Sequence, residues 1–231
     1  FKLIYFYSLS ETHNLNNVRQ SREASRRGLK AIREMTIADP DVELSVALAT
    51  AFGCPFEGFP SREQVLSEVE QVAALEIREI TLCDTVGFGN PRLVEDILSA
   101  CRENFPEIVF AVHFHNTRGL GLANALRAYD LGVRRFDAAL GGLGGCPFAP
   151  GASGNIATED LSFMFAGMGI ATGIDMDALL AATRLLDRIL PGVSLSSAVY
   201  QAGLPKTIPP GEGTACRPPE HKDSLPPHQD W

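Results

Sequence analysis

Two histidines separated by a single residue form the clearest candidate for chemistry in this sequence. His113 and His115 lie in Ala111–Asn116, at the end of a short apolar run. Alternate residues of a β-strand share a face, so a strand here would place both imidazoles side by side. Two such rings can bind one divalent ion, or they can only hydrogen-bond to polar neighbours. Their position at the end of a predicted strand favours metal binding.

A glycine-rich stretch, Gly141–Asn155, carries one thiol, Cys146, near its centre. Glycine adopts backbone conformations closed to other residues, which would let this loop move over a site. A thiol held there could donate or accept a proton. A flexible surface connection with an incidental cysteine explains the composition equally well, so both interpretations stay open.

Four further side chains could take part in ligand or acid-base chemistry. Asn155 can offer an amide oxygen to a cation. Glu159 and Asp160 lie in the first turn of a predicted helix, where carboxylates favour the helix dipole, and that explanation suffices for Asp160. Asp84 ends a predicted strand, where carboxylates face the mouth of a barrel, so we expect Asp84 to be placed for chemistry.

The other glycine pairs, at 87–89 and 119–121, do not form a nucleotide-binding fingerprint. The sequence contains neither a phosphate-binding loop with its lysine nor a complete dinucleotide-binding motif. It also lacks the Gly-x-Ser-x-Gly elbow of serine hydrolases. Nucleotide-dependent and serine-hydrolase functions therefore gain no support.

The elements that must position these residues are strands alternating with helices, a pattern that repeats five times. The predicted strands are Lys2–Tyr7, Val42–Thr50, Ile77–Cys83, Ile108–His115 and Arg134–Ala139. The predicted helices are Asn17–Met35, Ser61–Leu75, Pro91–Asn104, Gly119–Leu131, Thr158–Met168 and Asp175–Ile189. Ser61 with Gln64 predicts a capping box, and Asn90 before Pro91 predicts another helix start.

Five βα units predict an α/β fold that is part of a TIM (β/α)8 barrel, with ligands at the loops that follow the strands. Three further strands, from upstream sequence or another chain, would be needed to close such a barrel. A smaller doubly wound α/β domain is the alternative. We expect residues 1–204 to form this domain. Seven of the 15 prolines lie in residues 205–231, which predicts a disordered tail.

Composition and charge exclude several classes of protein. The chain has 231 residues, of which 45% are hydrophobic, and a net charge of -8, which is typical of a globular domain. This charge argues against a nucleic-acid partner. The five basic residues in 19–30 indicate a solvated helix face, or else a guide for a phosphate-bearing ligand.

The apolar runs are shorter than the roughly 20 residues that cross a bilayer, so no membrane partner is predicted. The five cysteines lack paired spacing, which indicates reduced thiols and a cytoplasmic protein. A homodimer is the expected assembly, because dimers are the commonest oligomers of soluble enzymes.

Together these residues resemble the hydroxymethylglutaryl-CoA lyases of the DRE-TIM metallolyase superfamily, from about Lys2 to Pro205. The best-matching pieces are Ser8–Asn17, Gly53–Gly58, Cys83–Gly87, His113–Thr117 and Gly141–Asp160, of which the last is highly specific. The resemblance implies an acyl-CoA substrate like 3-hydroxy-3-methylglutaryl-CoA, cleaved to acetyl-CoA and a keto acid such as acetoacetate.

The resemblance also implies a metal site. His113, His115 and Asn155 would bind a divalent cation, Mg²⁺ or Mn²⁺, that polarises and orients substrate oxygens.

The implied reaction removes the proton of the substrate's tertiary hydroxyl, breaks the carbon-carbon bond and protonates the acetyl-CoA enolate. Cys146 would assist proton transfer to the nascent carbanion. Asp84 and Glu159 would support acid-base steps and substrate placement.

The sequence departs from the family at one important motif. The family's first strand carries an Arg-Asp pair, whose Asp binds the metal and whose Arg stabilises the enolate, and this sequence contains no such pair. Its first predicted strand matches the family's fourth, so we expect an N-terminally truncated member. A site of two imidazoles and one amide should bind metal weakly.

Three other functions stay open. The chain could be a catalytically inactive family member, or a Claisen-condensing acyltransferase of the same superfamily. The glycine stretch with Cys146 favours the lyase branch. Outside enzymes, the edge of an incomplete sheet could serve as an interaction module.

Overall fold

A computed structural model of the chain describes residues 1–39, 41–145 and 154–205. The strands are β1 (Lys2–Ser8), β2 (Glu43–Ala49), β3 (Glu79–Asp84), β4 (Val109–Phe114) and β5 (Arg135–Asp137). The helices are α1 (Glu11–Val18), α2 (Arg22–Thr36), α3 (Arg62–Ala73), α4 (Pro91–Asn104), α5 (Gly121–Asp130), α6 (Thr158–Gly167), α7 (Met176–Ile189) and α8 (Ala198–Ala202). A 3₁₀ turn, Leu140–Gly142, follows β5.

The five strands form one parallel sheet in the order β1-β2-β3-β4-β5. Sequential parallel strands joined through helices are the arrangement of a (β/α) barrel, so the predicted fold class is confirmed. The doubly wound alternative is wrong, because every strand pairs with its neighbour in sequence and the order never reverses. The predicted tail, 205–231, lies outside the described residues apart from its first residue.

One face of the sheet packs against the helices and carries the hydrophobic core. The core residues contributed by the strands include Tyr7, Val46, Leu48, Ile80, Leu82, Phe110, Val112 and Phe114, and those contributed by the helices include Leu29, Val65, Val69, Val94, Ile97, Leu98 and Ala125. These strand residues alternate along each strand, so they share the face of the sheet that packs against the helices. Burial of this apolar surface stabilises the fold and fixes which side chains face the other way.

The opposite face of the sheet is partly open to solvent. Ile4 and Phe6 on β1 lie there with 54% and 39% of their surfaces exposed. On this face, at the end of the sheet where the strands begin, the Glu79 carboxylate on β3 binds two cations, Lys2 from β1 and Arg135 from β5. One buried anion therefore ties the two outer strands to the central one.

The predicted helix Asn17–Met35 corresponds to α2, but its predicted start is wrong, because residues 17 and 18 belong to α1 and α2 begins at Arg22. Arg19 has a φ of 57°, in the left-handed region, and ends α1 there. Ser21 then caps α2 by accepting a hydrogen bond from the Ala24 amide. Ser21 is therefore the N-cap at which the second helix starts. Ser10 caps α1 in the same way, by accepting a hydrogen bond from the His13 amide.

The basic residues at 19–30 are held partly in ion pairs. Arg22 and Arg26 both bind the buried Glu68 carboxylate, at 2.6 and 2.5 Å, and the Tyr7 hydroxyl donates to the same group at 2.7 Å. These contacts join α2 to α3 and the sheet. They support a structural role for this face of α2.

Other predicted helix boundaries are close to the observed ones. The capping box of Ser61 and Gln64 and the Asn90 cap before Pro91 are both confirmed. Asp160 accepts hydrogen bonds from the Ser197 hydroxyl and from the first amides of α8, which the sequence did not predict. Across the described ranges, no helix is both long and apolar enough to span a membrane.

Candidate functional site

The two histidines lie at the end of β4, on the face of the sheet away from the core. Their ring centroids are 5.2 Å apart. Phe114, between them, is 1% exposed and packs against Phe52 on the core side, with ring centroids 5.5 Å apart. Burial of this phenylalanine therefore turns both imidazoles to the same side, as the alternation of residues predicts.

The end of the glycine stretch pairs with this histidine strand. His115 and Asn155 form an antiparallel bridge, flanked by hydrogen bonds from Asn116 N to Gly154 O (2.9 Å) and from Ile156 N to Phe114 O (3.1 Å). The Asn155 side-chain amide donates to the Leu143 carbonyl at 2.6 Å. Backbone pairing and this hydrogen bond together hold the Asn155 side chain beside His115.

Two atoms of this group fit a metal. Among the described residues, His115 Nδ1 and Asn155 Oδ1 are buried side-chain atoms without a hydrogen-bond partner. Buried polar atoms are nearly always paired, and an imidazole nitrogen and an amide oxygen are both metal ligands. Burial, and then the charge of His113, lowers the pKa of His115 to about 4, so its ring is neutral near pH 7. A neutral imidazole is the form that binds metal.

The described ligand set is small and uncharged. Nowhere in 1–39, 41–145 and 154–205 do three His, Cys, Asp or Glu side chains cluster closely enough to hold a metal ion. His113, His115 and Asn155 thus offer two imidazoles and one amide. On these residues alone we expect a weak divalent site, since none of the three is a carboxylate that could supply an anionic anchor.

Asp137 on β5 lies beside the histidines. Its Oδ2 is 3.7 Å from His113 Nδ1, too long for a hydrogen bond but close enough to attract a protonated ring. The register pairs Cys83, His113 and Asp137 across three neighbouring strands. Sequence reasoning missed Asp137, although alternation along the fifth predicted strand could have placed it on this face.

A cleft of about 240 Å³ opens above this row of side chains. The residues that border it are Phe6, His13, Asn17, Ala47, Cys83, Thr85, His113, His115, Asp137 and Gly145. Sequence reasoning singled out the segment Ser8–Asn17 but not its His13. The cleft therefore combines apolar residues with three histidines from two different elements.

Asp84 lies on the other side of β3, with the core residues Ile80 and Leu82, and is fully buried. Its carboxylate accepts hydrogen bonds from the Phe88 and Gly89 amides at 2.9 and 3.0 Å. Burial raises its pKa to about 6, against the lowering effect of these amides. The expectation that Asp84 faces the barrel mouth is wrong, because strand alternation puts its side chain under the loop after β3.

Glu159 is fully buried at the start of α6. Both carboxylate oxygens accept from the Gly141 amide, at 2.9 and 3.0 Å, and the Thr183 hydroxyl also donates to this group. Gly141 has a φ of 62°, so the carboxylate holds a left-handed glycine where the glycine stretch begins. Cys146 lies outside the described residues.

The described cysteines Cys54, Cys83 and Cys101 are free and buried. Burial raises the pKa values of the Cys83 and Cys101 thiols. These thiols are therefore protonated at neutral pH.

Comparison with known proteins gives a consistent family. The HMGL-like family model matches residues 3–186. A (R)-citramalyl-CoA lyase of Chloroflexus aurantiacus is 41% identical over 211 residues, covering 85% of this chain and 66% of that protein. The mitochondrial hydroxymethylglutaryl-CoA lyase of Homo sapiens is 38% identical, covering 87% of this chain and 61% of that protein. The chain thus spans about 60 to 66% of the length of the curated relatives named here and of a Bacillus subtilis hydroxymethylglutaryl-CoA lyase.

Solved structures agree with the sequence matches. The HMG-CoA lyase from Acinetobacter baumannii, in complex with coenzyme A and 3-methylmalate, superposes with a TM-score of 0.82 at 47% identity, covering 90% of this chain and 68% of that one. The Bacillus subtilis HMG-CoA lyase also gives 0.82, at 39% identity, covering 87% and 67%. By fold, by sequence and by the family model, the chain belongs to the HMGL-like family of hydroxymethylglutaryl-CoA lyases.

Proposed function

We propose that this chain carries the metal and acyl-binding side of a metal-dependent carbon-carbon lyase that cleaves a 3-hydroxy-3-methylglutaryl-CoA-like thioester. The products are acetyl-CoA and a keto acid such as acetoacetate. The observation that carries this proposal is the pair of buried atoms, His115 Nδ1 and Asn155 Oδ1, held together beside His113. The related HMG-CoA lyase from Acinetobacter baumannii forms a complex with coenzyme A, which supports a thioester substrate for this chain.

His113, His115 and Asn155 would hold the ion, Mg²⁺ or Mn²⁺. When bound, a divalent ion polarises the substrate oxygens and favours loss of the hydroxyl proton. The Asn155 amide nitrogen donates to the Leu143 carbonyl, which would leave the amide oxygen available to the ion.

Proton transfer requires a group that can reach the carbon released as the carbon-carbon bond breaks. We assign this step to the Cys146 thiol, which would give its proton to that carbon and leave a thiolate. The proton lost from the substrate hydroxyl would then convert the thiolate back to a thiol, so that no net proton is gained or lost. Glu159 would act as a positioning residue, because it fixes the backbone at Gly141, five residues before Cys146. Asp84 would act similarly, because its carboxylate fixes the loop after β3 through the Phe88 and Gly89 amides. Its backbone carbonyl also accepts from the His115 amide at 3.3 Å, which links this loop to the histidine pair.

The test is release of acetyl-CoA from 3-hydroxy-3-methylglutaryl-CoA by the purified chain with Mg²⁺ or Mn²⁺. We expect metal-dependent release that is abolished by EDTA, by His115→Ala and by Cys146→Ala. Cys216→Ala, a thiol outside the glycine stretch, is the matched control and should retain activity. Absence of release from a folded sample that binds the thioester would contradict the activity and leave an inactive member of the family.

The acyltransferase alternative predicts condensation of two substrates in place of cleavage of one. Such an enzyme would consume acetyl-CoA and a 2-keto acid, so incubation with both should release free CoA. We expect no such release.

Two further properties belong to the same proposal. The free state of the described cysteines supports a reducing compartment, and we propose the cytoplasm. We also propose a homodimer, which sedimentation analysis of the purified chain would test.

A further inference from the structure

Asp137 brings a carboxylate to the candidate cleft from β5. The residue before it, Phe136, packs on the core side against Phe165, with ring centroids 5.2 Å apart. Alternation along the strand therefore directs the Asp137 side chain to the opposite face of the sheet, where the histidine pair lies. Among the described residues that border the cleft, Asp137 is the one that carries a carboxylate.

His113 lies between two register partners on the neighbouring strands, Cys83 on β3 and Asp137 on β5. The Cys83 thiol is buried, and its raised pKa keeps it protonated, so it brings no charge to the imidazole. The Asp137 carboxylate brings a negative charge, with Oδ2 3.7 Å from His113 Nδ1. The ring therefore meets an anion on the side of β5.

The charge of Asp137 is available to this ring. Arg135, two residues earlier on the same face of β5, binds the Glu79 carboxylate where the strands begin. The Asp137 side chain is 54% exposed, so it can rotate without displacing core residues. Such a rotation can shorten the distance to His113 Nδ1 to the about 2.8 Å of a charge-assisted hydrogen bond.

The position of Asp137 favours a role behind the ring over a direct bond to the ion. The Asp137 carboxylate and the two imidazoles do not form a group that could share one ion, which holds for every set of three His, Cys, Asp or Glu side chains in the described ranges. A carboxylate that accepts a hydrogen bond from His113 Nδ1 leaves Nε2 for the ion. It also makes that second nitrogen more basic and fixes the orientation of the ring.

We propose that Asp137 is a positioning residue that holds the His113 ring with its hydrogen on Nδ1 and so strengthens binding of the divalent ion through this ring. This inference rests on the proposed function, because the ion is the one assigned there to His113, His115 and Asn155. The negative charge of Asp137 partly compensates for a ligand set that carries none.

The test measures the affinity of the purified chain for Mn²⁺ from the electron paramagnetic resonance signal of the unbound ion, without substrate. Loss of such a carboxylate partner weakens metal binding by about tenfold or more. We expect this loss in Asp137→Asn, which keeps the shape of the side chain and removes its charge. Asp137→Glu keeps the charge and should stay within about threefold of the unaltered chain. Asp130→Asn, at an exposed position at the end of α5, is the control and should leave the affinity unchanged.

A double-mutant cycle with His113 shows whether the carboxylate acts through the ring. In a His113→Ala chain, Asp137→Asn should change the Mn²⁺ affinity by less than about twofold. A tenfold effect that persists there would make Asp137 a ligand in its own right and overturn the inference.

Two other results would also overturn the inference and leave the proposed metal site standing. One is an unchanged Mn²⁺ affinity in Asp137→Asn, and the other is an equal loss in Asp137→Asn and Asp137→Glu. A folded chain that binds no Mn²⁺ would instead refute the metal site under the proposed function, and the role of Asp137 with it.

Discussion

Replacement of Glu159 should lower the stability of the fold, because its buried carboxylate holds the Gly141 turn. In Glu159→Ala the buried Gly141 amide loses its acceptor, whereas the Thr183 hydroxyl keeps the Leu179 carbonyl at 3.0 Å. One lost charge-assisted hydrogen bond and a small cavity together cost about 3 kcal/mol. Glu159→Gln keeps an oxygen for the Gly141 amide and loses mainly the charge, which costs about 1 kcal/mol.

Urea unfolding followed by circular dichroism measures these differences. With a denaturant dependence of about 2 kcal/mol per molar urea, the midpoint should fall by about 1.5 M for Glu159→Ala and about 0.5 M for Glu159→Gln. Glu103→Ala, at an exposed position on α4, is the control and should shift it by less than about 0.3 M. The reasoning would be refuted by a Glu159→Ala midpoint within that control range, since the carboxylate would then not hold the Gly141 turn.

Three further predictions follow from the described contacts. Gly89→Ala should lower the free energy of unfolding by about 2 kcal/mol, because its Cβ would lie 2.8 Å from Asp84 Oδ2 and 3.3 Å from Asn124 Nδ2. Gly167→Ala, with nothing within 4 Å, is its control in thermal unfolding and should not destabilise. Cys101 should resist iodoacetamide at pH 8 in the native chain and react in 8 M urea, since burial raises its pKa to about 12; peptide mass spectrometry would detect native labelling that contradicts this. Ser61→Ala should cost about 1 kcal/mol in urea unfolding, because it removes the acceptor of the Gln64 amide, whereas Ser67→Ala in the interior of α3 should cost less.

The spacing of residues predicted most of the helices and strands, because each pattern depends on residues that are close together in the sequence. The capping box at Ser61 and Gln64 depends on residues three apart, and the sequence alone predicts it. The break at Arg19 was not predictable in the same way, because a left-handed arginine has no compositional signal. The two serine caps around it were the available sign that one helical pattern was two helices.

The site was predictable where alternation along a strand determined it. His113 and His115 share a face because they are two residues apart, whereas Asp84 lies on the core side of its strand. Counting from the buried Ile80 and Leu82 would have placed Asp84 there. His13 depends on how α1 returns over the end of β1, a tertiary relation that the residue pattern does not contain.

The Glu79 carboxylate also bears on how the chain is made. Its first partner, Lys2, precedes it in the sequence, whereas its second, Arg135, is synthesised more than 50 residues later. At the 5–20 residues per second of ribosomal synthesis, this interval lasts on the order of several seconds. During that time the emerging carboxylate has one of its two final cation partners, so the first three strands can associate before the fifth strand supplies the second.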